Sequence, residues 1–282
     1  MLNFNINRVS NQEQEILYSY CRKNDPEQRK ACPGKMADDL VRRLEMNTID
    51  RKLKTLISYY NRLVKGIDDA ASMSQERAYG GVIRSEKGKL VEYLASQLVQ
   101  IAWTDVLKQR PSRLEINRKK IPISIKDDYI NRISNPKVRA YVSSYRDDLK
   151  YRFGTDVQVF IDGRIVLAIE CKTYTENAMM KRILFDAKLM KEAMGLDTYY
   201  LVQLESQLGG DYSELNDITY GSPATHVLMS LIDVDLKIIT LLKEERRINR
   251  PIHKPEFFKE LEMRQLKKAV NLFADDLKKY AR

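Results

Sequence analysis

Two acidic residues and a lysine stand in one otherwise mostly apolar stretch, TDVQVFIDGRIVLAIECKTYTE, at residues 155–176. Glu170 follows Asp156 after thirteen intervening residues, and Lys172 lies two positions further on. Residues two apart in a β-strand share a face, so in a hairpin these three polar residues fall on one face. The other face then carries only apolar residues and a cysteine: Val157, Val159, Ile161, Ile165, Leu167, Ile169 and Cys171.

The length of the turn decides whether the two acids meet. A two-residue turn at Asp162-Gly163 pairs Asp156 with Ile169 and mixes the faces, whereas a three-residue loop keeps the faces sorted. We therefore expect a three-residue loop, with two registers open. The loop 161–163 places Asp156 diagonal to Glu170, and the loop 162–164 places the two acids directly opposite each other.

Neighbouring carboxylates repel each other unless a cation lies between them. Lys172 is one such cation, and Mg²⁺ is a better fit because it is typically held by one or two carboxylates together with substrate phosphate. A divalent ion there could polarise a phosphoryl oxygen, and the lysine could orient or deprotonate the attacking water. The competing interpretation is a surface hairpin with a simple Glu–Lys pair.

The remaining composition narrows the function classes. The chain has 282 residues, with 49 lysines and arginines against 39 acids and a net charge of +10, which favours a polyanionic partner over mere solubility. Only His226 and His253 could act as histidine bases, and the sequence has no GxxxxGK[ST] or GxGxxG pattern. Three scattered cysteines indicate neither a disulfide framework nor a zinc site, and we expect a cytoplasmic protein without a signal peptide or membrane span.

The flanking pattern predicts an α/β fold with a mixed sheet and a helical N-terminal extension. We expect residues 1–75 to form the helical region and residues 76–282 to form the core with a C-terminal helix. The extension contains three helical patterns, at residues 11–23, 35–46 and 48–67. Further predicted elements are a helix at 89–103, interrupted helices at 127–149, a helix at about 175–194 that starts with a capping box at 173–176 and ends at Gly195, strands at 198–205 and 236–242, a short helix at 224–232 and a last helix at about 255–280.

Asp156, followed after thirteen residues by Glu170-Cys171-Lys172, resembles the signature of the PD-(D/E)xK nuclease superfamily. The helix before it, the helix after it and the later strand follow that superfamily's order, and the chain resembles a type II restriction endonuclease. The segment AIECKTYTENAMM is also similar to subunits of heterodimeric endonucleases that cut asymmetric seven-base-pair sites. Thr155 stands where the signature has proline.

The resemblance implies a restriction-endonuclease-like core, a mixed central sheet flanked by helices, and Mg²⁺-dependent hydrolysis of DNA phosphodiesters. It implies that Asp156 and Glu170 are metal ligands and that Lys172 is the lysine of the motif. By the same analogy the carbonyl of Cys171 is a backbone ligand, and Glu92, on the first core helix, approaches the metal; a solvated helix residue is the alternative for Glu92.

Double-stranded DNA is the expected partner, and phosphate contacts come mainly from arginine and lysine. Asn177 could face bases, or could only cap a helix or lie on the surface. Cutting both strands needs two active sites, so we expect a homodimer or a heterodimer with a second nuclease subunit. A repair or junction nuclease and a DNA-binding protein with an inert core stay open as alternatives. The candidate phosphate contacts are Arg110, Arg113, Arg118, Lys119, Lys120, Lys181 and Arg182.

Overall fold

The computed structural model describes residues 49–72, 76–148, 150–196, 198–208 and 222–282. The predicted helices at residues 11–23 and 35–46 lie outside these ranges. Within them, no helix combines the length and the hydrophobicity needed to cross a membrane.

A five-stranded mixed sheet organises the fold. Its strand order is β1-β4-β5-β6-β7, with antiparallel pairing among the first three strands and parallel pairing among the last three. A separate antiparallel ribbon joins β2 to β3. The strands are β1 Leu114–Asn117, β2 Ile121–Ile123, β3 Tyr151–Phe153, β4 Val157–Ile161, β5 Arg164–Glu176, β6 Thr198–Gln207 and β7 Asp235–Thr240.

Helices cover both faces of this sheet, as the α/β prediction requires. The second helix continues into a π-helical turn at Ala102–Val106, and short 3-10 turns precede β1 and the last helix. The α-helices are α1 Ile49–Ser72, α2 Glu76–Ile101, α3 Asp127–Arg132, α4 Pro136–Ser144, α5 Asn177–Met194, α6 Pro223–Ser230 and α7 Met263–Leu277.

Two apolar cores lie on opposite sides of the sheet. In the first, α1, α2 and α7 pack against one face, and Trp103 and Phe273 are fully buried there. In the second, Met180 and Leu184 of α5 pack against the other face. Because α1 shares the first core with α2, the one described helix of the predicted N-terminal region packs directly on the sheet domain. The domain boundary at residue 75 stays a prediction.

The hairpin of β4 and β5 differs from the predicted one in its turn. The turn has two residues, Asp162 at φ 49° and Gly163 at φ 81°, which is the geometry of a type I′ turn. A β-bulge then leaves Val166 without a partner, because Phe160 pairs with Ile165 while Val159 pairs with Leu167. The predicted three-residue loop is therefore wrong.

The bulge also exchanges two residues between the faces. Val166 packs in the first core and Ile165 in the second, so the prediction that Ile165 shares the face of Leu167 is wrong. Beyond the bulge, Val157 lies opposite Ile169. In this register the apolar odd-numbered residues of both paired segments share one face, and the even-numbered residues share the other. The next position along the ladder puts Asp156 opposite Glu170, which is one of the two registers predicted from the sequence.

Two predicted helix starts also need correction. Strand β5 runs to Glu176 because its last residues pair with β6, so α5 begins at Asn177 and no side-chain cap forms at its start. The capping box predicted at 173–176 is wrong for that reason. Gly195 ends α5 in the left-handed conformation at φ 63°, as predicted. Helix α7 begins at Met263, since the residues from Pro255 form a separate 3-10 turn.

Candidate active site

Strands β4 and β5 bring Asp156, Glu170 and Lys172 together. The Lys172 ammonium forms a close ion pair with the Glu170 carboxylate, and its Nζ lies 3.6 Å from Asp156 Oδ2. The same Nζ lies 3.3 Å from the carbonyl oxygen of Cys171. The Asp156 and Glu170 side chains are only 14% and 13% exposed. The Lys172 ammonium therefore lies among three oxygen atoms that belong to nearly buried groups.

Those three donors are of the kind that Mg²⁺ accepts, since the ion prefers carboxylate and carbonyl oxygens. In this structure the lysine ammonium fills the space between them. Across the described ranges, no group of three or more histidines, cysteines, aspartates or glutamates is close enough to form a metal cluster by side chains alone. The donor chemistry therefore fits Mg²⁺, provided that the Lys172 side chain moves aside.

Burial and mutual repulsion set the electrostatics of the acids. Burial raises the pKa of Glu170, and the negative charge of Asp156 raises it further, against the opposing effect of Lys172. For Lys172, burial disfavours the charged form, but Glu170 and Asp156 outweigh it, so its pKa is raised. The lysine is therefore charged at neutral pH, and the site disfavours the ionised form of Glu170.

Glu92 and Arg118 complete the charged cluster. Helix α2 carries Glu92, and burial followed by repulsion from Asp156 raises the pKa of its carboxyl. Arg118 bridges the two acids, with Nη2 2.9 Å from Asp156 Oδ1 and Nη1 3.4 Å from Glu92 Oε2. The structure thus places Glu92 beside the hairpin acids, as the resemblance implies.

A backbone N–H and the residue before Asp156 fix the position of this acid. The Cys171 N–H donates to Asp156 Oδ2 at 2.9 Å. The Cys171 thiol is buried, and burial raises its pKa well above the usual value. Thr155 is 1% exposed and its hydroxyl donates to the Val157 carbonyl at 3.1 Å. A bonded threonine therefore fixes the chain before Asp156, where the resembled motif has a proline.

Sequence reasoning missed Asp186, a buried acid on α5. Burial raises the pKa of its carboxyl, Asp156 raises it slightly more, and Arg182 and Lys172 lower it. Its Oδ2 lies 3.8 Å from Arg182 Nε in an (i, i+4) pair. No motif marks Asp186, because its approach to the site depends on how α5 lies across β5.

The basic residues predicted to contact DNA fall into three groups. Arg118, Lys119 and Lys120 form the loop between β1 and β2, next to Asp156, and all three are exposed. The amide of Gln158 holds this loop, since it accepts from the Lys119 N–H at 3.0 Å and donates to the Lys119 carbonyl at 2.9 Å. Of this group, Arg118 contacts the site acids directly.

Arg110 and Arg113 lie at the opposite end of the hairpin. Arg113 forms an ion pair of 2.7 Å with Asp162 in the turn and also donates to Gln109 and to the Tyr280 carbonyl. The six residue-to-residue steps from Asp156 to Asp162 span about 20 Å of extended chain. The structure therefore does not bring these two arginines to the acids.

The third group lies in the first turns of α5. Asn177 Oδ1 accepts a hydrogen bond of 3.1 Å from the Thr225 hydroxyl, which ties it to α6. Lys181 and Arg182 are exposed. Asn177 thus makes a structural contact, and the two basic residues present charge to the solvent.

Comparison with known proteins gives the family. The chain is 44% identical over 234 residues to the type II restriction enzyme DdeI of Desulfomicrobium norvegicum, a match that covers 81% of this chain and 97% of the relative. No protein-family model matches the chain. The solved structures that match include the native BbvCI A2B2 tetramer (TM-score 0.33, 12% identity, 93% of this chain and 96% of that one) and the type IIF restriction endonuclease Bse634I with cognate DNA (TM-score 0.37, 10% identity, 82% and 87%).

At those TM-scores the sequence relative alone carries the assignment. Its length is almost fully covered, and the aligned part of this chain includes at least most of the sheet domain, since 81% of the chain is matched. By this relationship the chain belongs to the type II restriction enzymes, which are site-specific DNA endonucleases.

Proposed function

We propose that Asp156, Glu170 and Lys172 form the catalytic site at which this endonuclease hydrolyses DNA phosphodiester bonds, with Mg²⁺ as cofactor. The observation that carries the proposal is the position of the Lys172 ammonium among two carboxylates and a carbonyl oxygen. Two carboxylates and a carbonyl oxygen are ligands that bind a divalent cation. The exposed basic loop 118–120 beside them can bind the DNA phosphate backbone.

The metal would be held by Asp156, Glu170 and the carbonyl of Cys171. Glu92 could contribute as well, because its carboxylate is near enough to interact with the charge of Asp156. When bound, Mg²⁺ would polarise a phosphoryl oxygen and lower the pKa of a water molecule. Lys172, released from the acids, can donate hydrogen bonds to the attacking water or to the negative charge that develops on phosphate. The Cys171 N–H keeps Asp156 in place throughout.

For DNA contact we propose the loop of Arg118, Lys119 and Lys120, because it is exposed and adjoins Asp156. Lys181 and Arg182 are further candidates on α5. Arg113 is a weaker candidate, since its guanidinium already bonds Asp162, Gln109 and Tyr280. Arg110, like Arg113, lies at the end of the hairpin that is far from Asp156 and Glu170. Asn177 remains a candidate for base contact only if it gives up its bond to Thr225.

We further propose that two sites act together, either in a homodimer or with a second nuclease subunit, because one site cuts one strand at a time. Light scattering gives the mass of the free assembly and of the assembly on DNA. A monomer that linearises plasmid without nicked intermediates would contradict this part of the proposal. A cytoplasmic location is also proposed, on the ground that Cys171 is a free, buried thiol.

The catalytic assignment is tested with Asp156→Asn and Lys172→Ala. Both variants are expected to bind duplex DNA and to lose Mg²⁺-dependent plasmid cutting by about a hundredfold or more. Matched controls are Asp233→Asn, at a carboxylate that is 98% exposed, and Lys278→Ala, at an exposed lysine on the C-terminal turn. Equal cutting by the site variants and their controls would refute the assignment.

The recognised bases are found by digesting a randomised DNA library with Mg²⁺ and sequencing the new ends. A single consensus at a fixed offset is expected. Ends without sequence preference in the wild-type digest would point instead to a structure-selective nuclease.

A further inference from the structure

We propose that Arg118 couples DNA binding to metal binding: in the free protein its guanidinium holds the metal-binding acids, and on DNA it moves to a phosphate and releases them. This inference rests on the proposed function, because it assigns a switch to the same acids. It goes further by stating that the acids accept a divalent ion well only when the substrate is in place.

The contacts of Arg118 carry the first step. One guanidinium bonds two carboxylates from different elements, Asp156 beside β4 and Glu92 on α2. It uses Asp156 Oδ1, while Oδ2 of the same carboxylate accepts the Cys171 N–H. Each oxygen of Asp156 therefore accepts a hydrogen bond in the free protein, and Arg118 competes with an incoming metal ion for Oδ1.

The exposure of the three side chains identifies Arg118 as the donor that leaves. Arg118 is 51% exposed, whereas Asp156 and Glu92 are 14% and 25% exposed. An ion pair with a half-exposed partner is weak, because water competes for the charge. A planar guanidinium also matches a phosphate in the same two-pronged way that it matches a carboxylate. A DNA phosphate near the site can therefore compete for Arg118.

The backbone beside Arg118 allows this exchange without movement of the loop. The amide of Gln158 bonds both the N–H and the carbonyl of Lys119. Gln158 itself is fully buried in the sheet. The loop is therefore fixed next to Arg118, and the long side chain can change partner by rotation about its own bonds.

Formal charge favours the same sequence of events. In the free protein three carboxylates (Asp156, Glu170 and Glu92) face two cations, Lys172 and Arg118, so the cluster is one unit negative. Transfer of Arg118 to a phosphate leaves the cluster two units negative, which a divalent ion balances. Linkage then requires the metal to raise the affinity for DNA by the same factor as DNA raises the affinity for metal.

The test measures Mn²⁺ binding to the free protein by electron paramagnetic resonance, without any cleavage step. Arg118→Ala is expected to bind Mn²⁺ about fivefold more tightly than the wild type in the absence of DNA. Arg118→Lys is expected to lie between the two, because it keeps the charge and loses the fork. Lys119→Ala is the matched control from the same loop: its ammonium pairs with Glu115 at 3.3 Å, and its free-protein Mn²⁺ affinity is expected to be unchanged.

The second arm adds a duplex that contains the recognised sequence and has uncleavable phosphonate linkages, so that the site with Lys172 present is measured without cutting. Duplex is expected to tighten Mn²⁺ binding about fivefold, and the further change Arg118→Ala is expected to remove most of that gain while weakening DNA binding. A thermal melt of each variant without metal confirms that the fold is retained.

The outcomes separate the two proposals. If Mn²⁺ binds the wild type and Asp156→Asn abolishes that binding, but Arg118→Ala binds Mn²⁺ no more tightly than the wild type, the switch is wrong and the metal site stands. If Mn²⁺ binding to wild type with DNA is unaffected by Asp156→Asn, the metal site itself is wrong. Tighter metal binding in both Arg118→Ala and Lys119→Ala would indicate a general charge effect and would also overturn the switch.

Discussion

The substitution Lys172→Ala should destabilise the protein, and the size of this loss should depend on pH in a direction that follows from the site geometry. At 3.6 Å a pair of opposite charges is worth roughly 4–5 kcal/mol at an effective dielectric constant of about 20. The side chain of Lys172 is 32% exposed, and its own burial opposes its charge, so both screening and desolvation reduce that figure. We expect Lys172→Ala to lower the free energy of unfolding by about 1–2 kcal/mol at neutral pH.

The sign of the pH dependence follows from Glu170. Its pKa in the folded protein is already raised by burial and by Asp156, so the folded state holds a proton at pH values where the unfolded state has released it. Stability therefore falls as pH rises from the unfolded pKa through the folded one. Without Lys172 the folded pKa of Glu170 rises further. The destabilisation caused by Lys172→Ala should accordingly be smaller near pH 5 than near pH 8.

Urea unfolding at these two pH values, without divalent ions, measures the effect. Lys278→Ala, at an exposed lysine, controls for loss of a positive charge alone. It is expected to change stability by no more than about 0.5 kcal/mol at either pH. The reasoning fails if Lys172→Ala destabilises the protein equally at both pH values, or more at the lower one.

Three further predictions concern single positions. Glu92→Gln should reduce Mg²⁺-dependent cutting by about tenfold to a hundredfold with little change in duplex affinity, and unchanged initial rates would remove Glu92 from the site. Trp103→Ala should lower the free energy of unfolding by about 3–5 kcal/mol, because the indole is fully buried and its Nε1 donates to the Arg110 carbonyl; a loss below about 1 kcal/mol in urea unfolding would contradict that account. Gly195→Val should lower the melting temperature through backbone strain of about 1–2 kcal/mol at φ 63°, although an added Cβ has no heavy atom within 4 Å apart from its own residue and its two chain neighbours. An unchanged melting temperature would show that the helix end adapts freely.

The alternation of apolar residues was enough to predict that β4 and β5 form a hairpin, because one face of that hairpin has to enter an apolar core. It also indicated the shared face of Asp156, Glu170 and Lys172. It could not predict the length of the turn. Asp162-Gly163 is well suited to a two-residue turn, whereas an uninterrupted hairpin keeps its polar and apolar faces separate only with a three-residue loop. The protein satisfies both through a bulge at Val166, whose cost depends on packing in two cores that the local sequence does not describe.

Long-range partners were beyond the sequence for a related reason. Arg113 looks like any exposed basic residue until the chain brings Asp162 and the Tyr280 carbonyl to it. Asp186 looks like a surface acid in an (i, i+4) pair with Arg182 until α5 lies against the sheet. The angle of a helix on a sheet follows from many small packing contacts, and no motif encodes it.

Because Val166 in β5 has no partner in β4, the hairpin of this enzyme contains one residue more than its pairing requires. If Val166 were deleted, the ladder could run without interruption from the Asp162-Gly163 turn, and Asp156 would still face Glu170. The hairpin could thus be shortened at that point with a loss of packing but with its acids still aligned. A residue added at the same point would need either a larger bulge or a longer turn. The arrangement of charges in space therefore depends on the pairing register and not on the number of residues between the two acids.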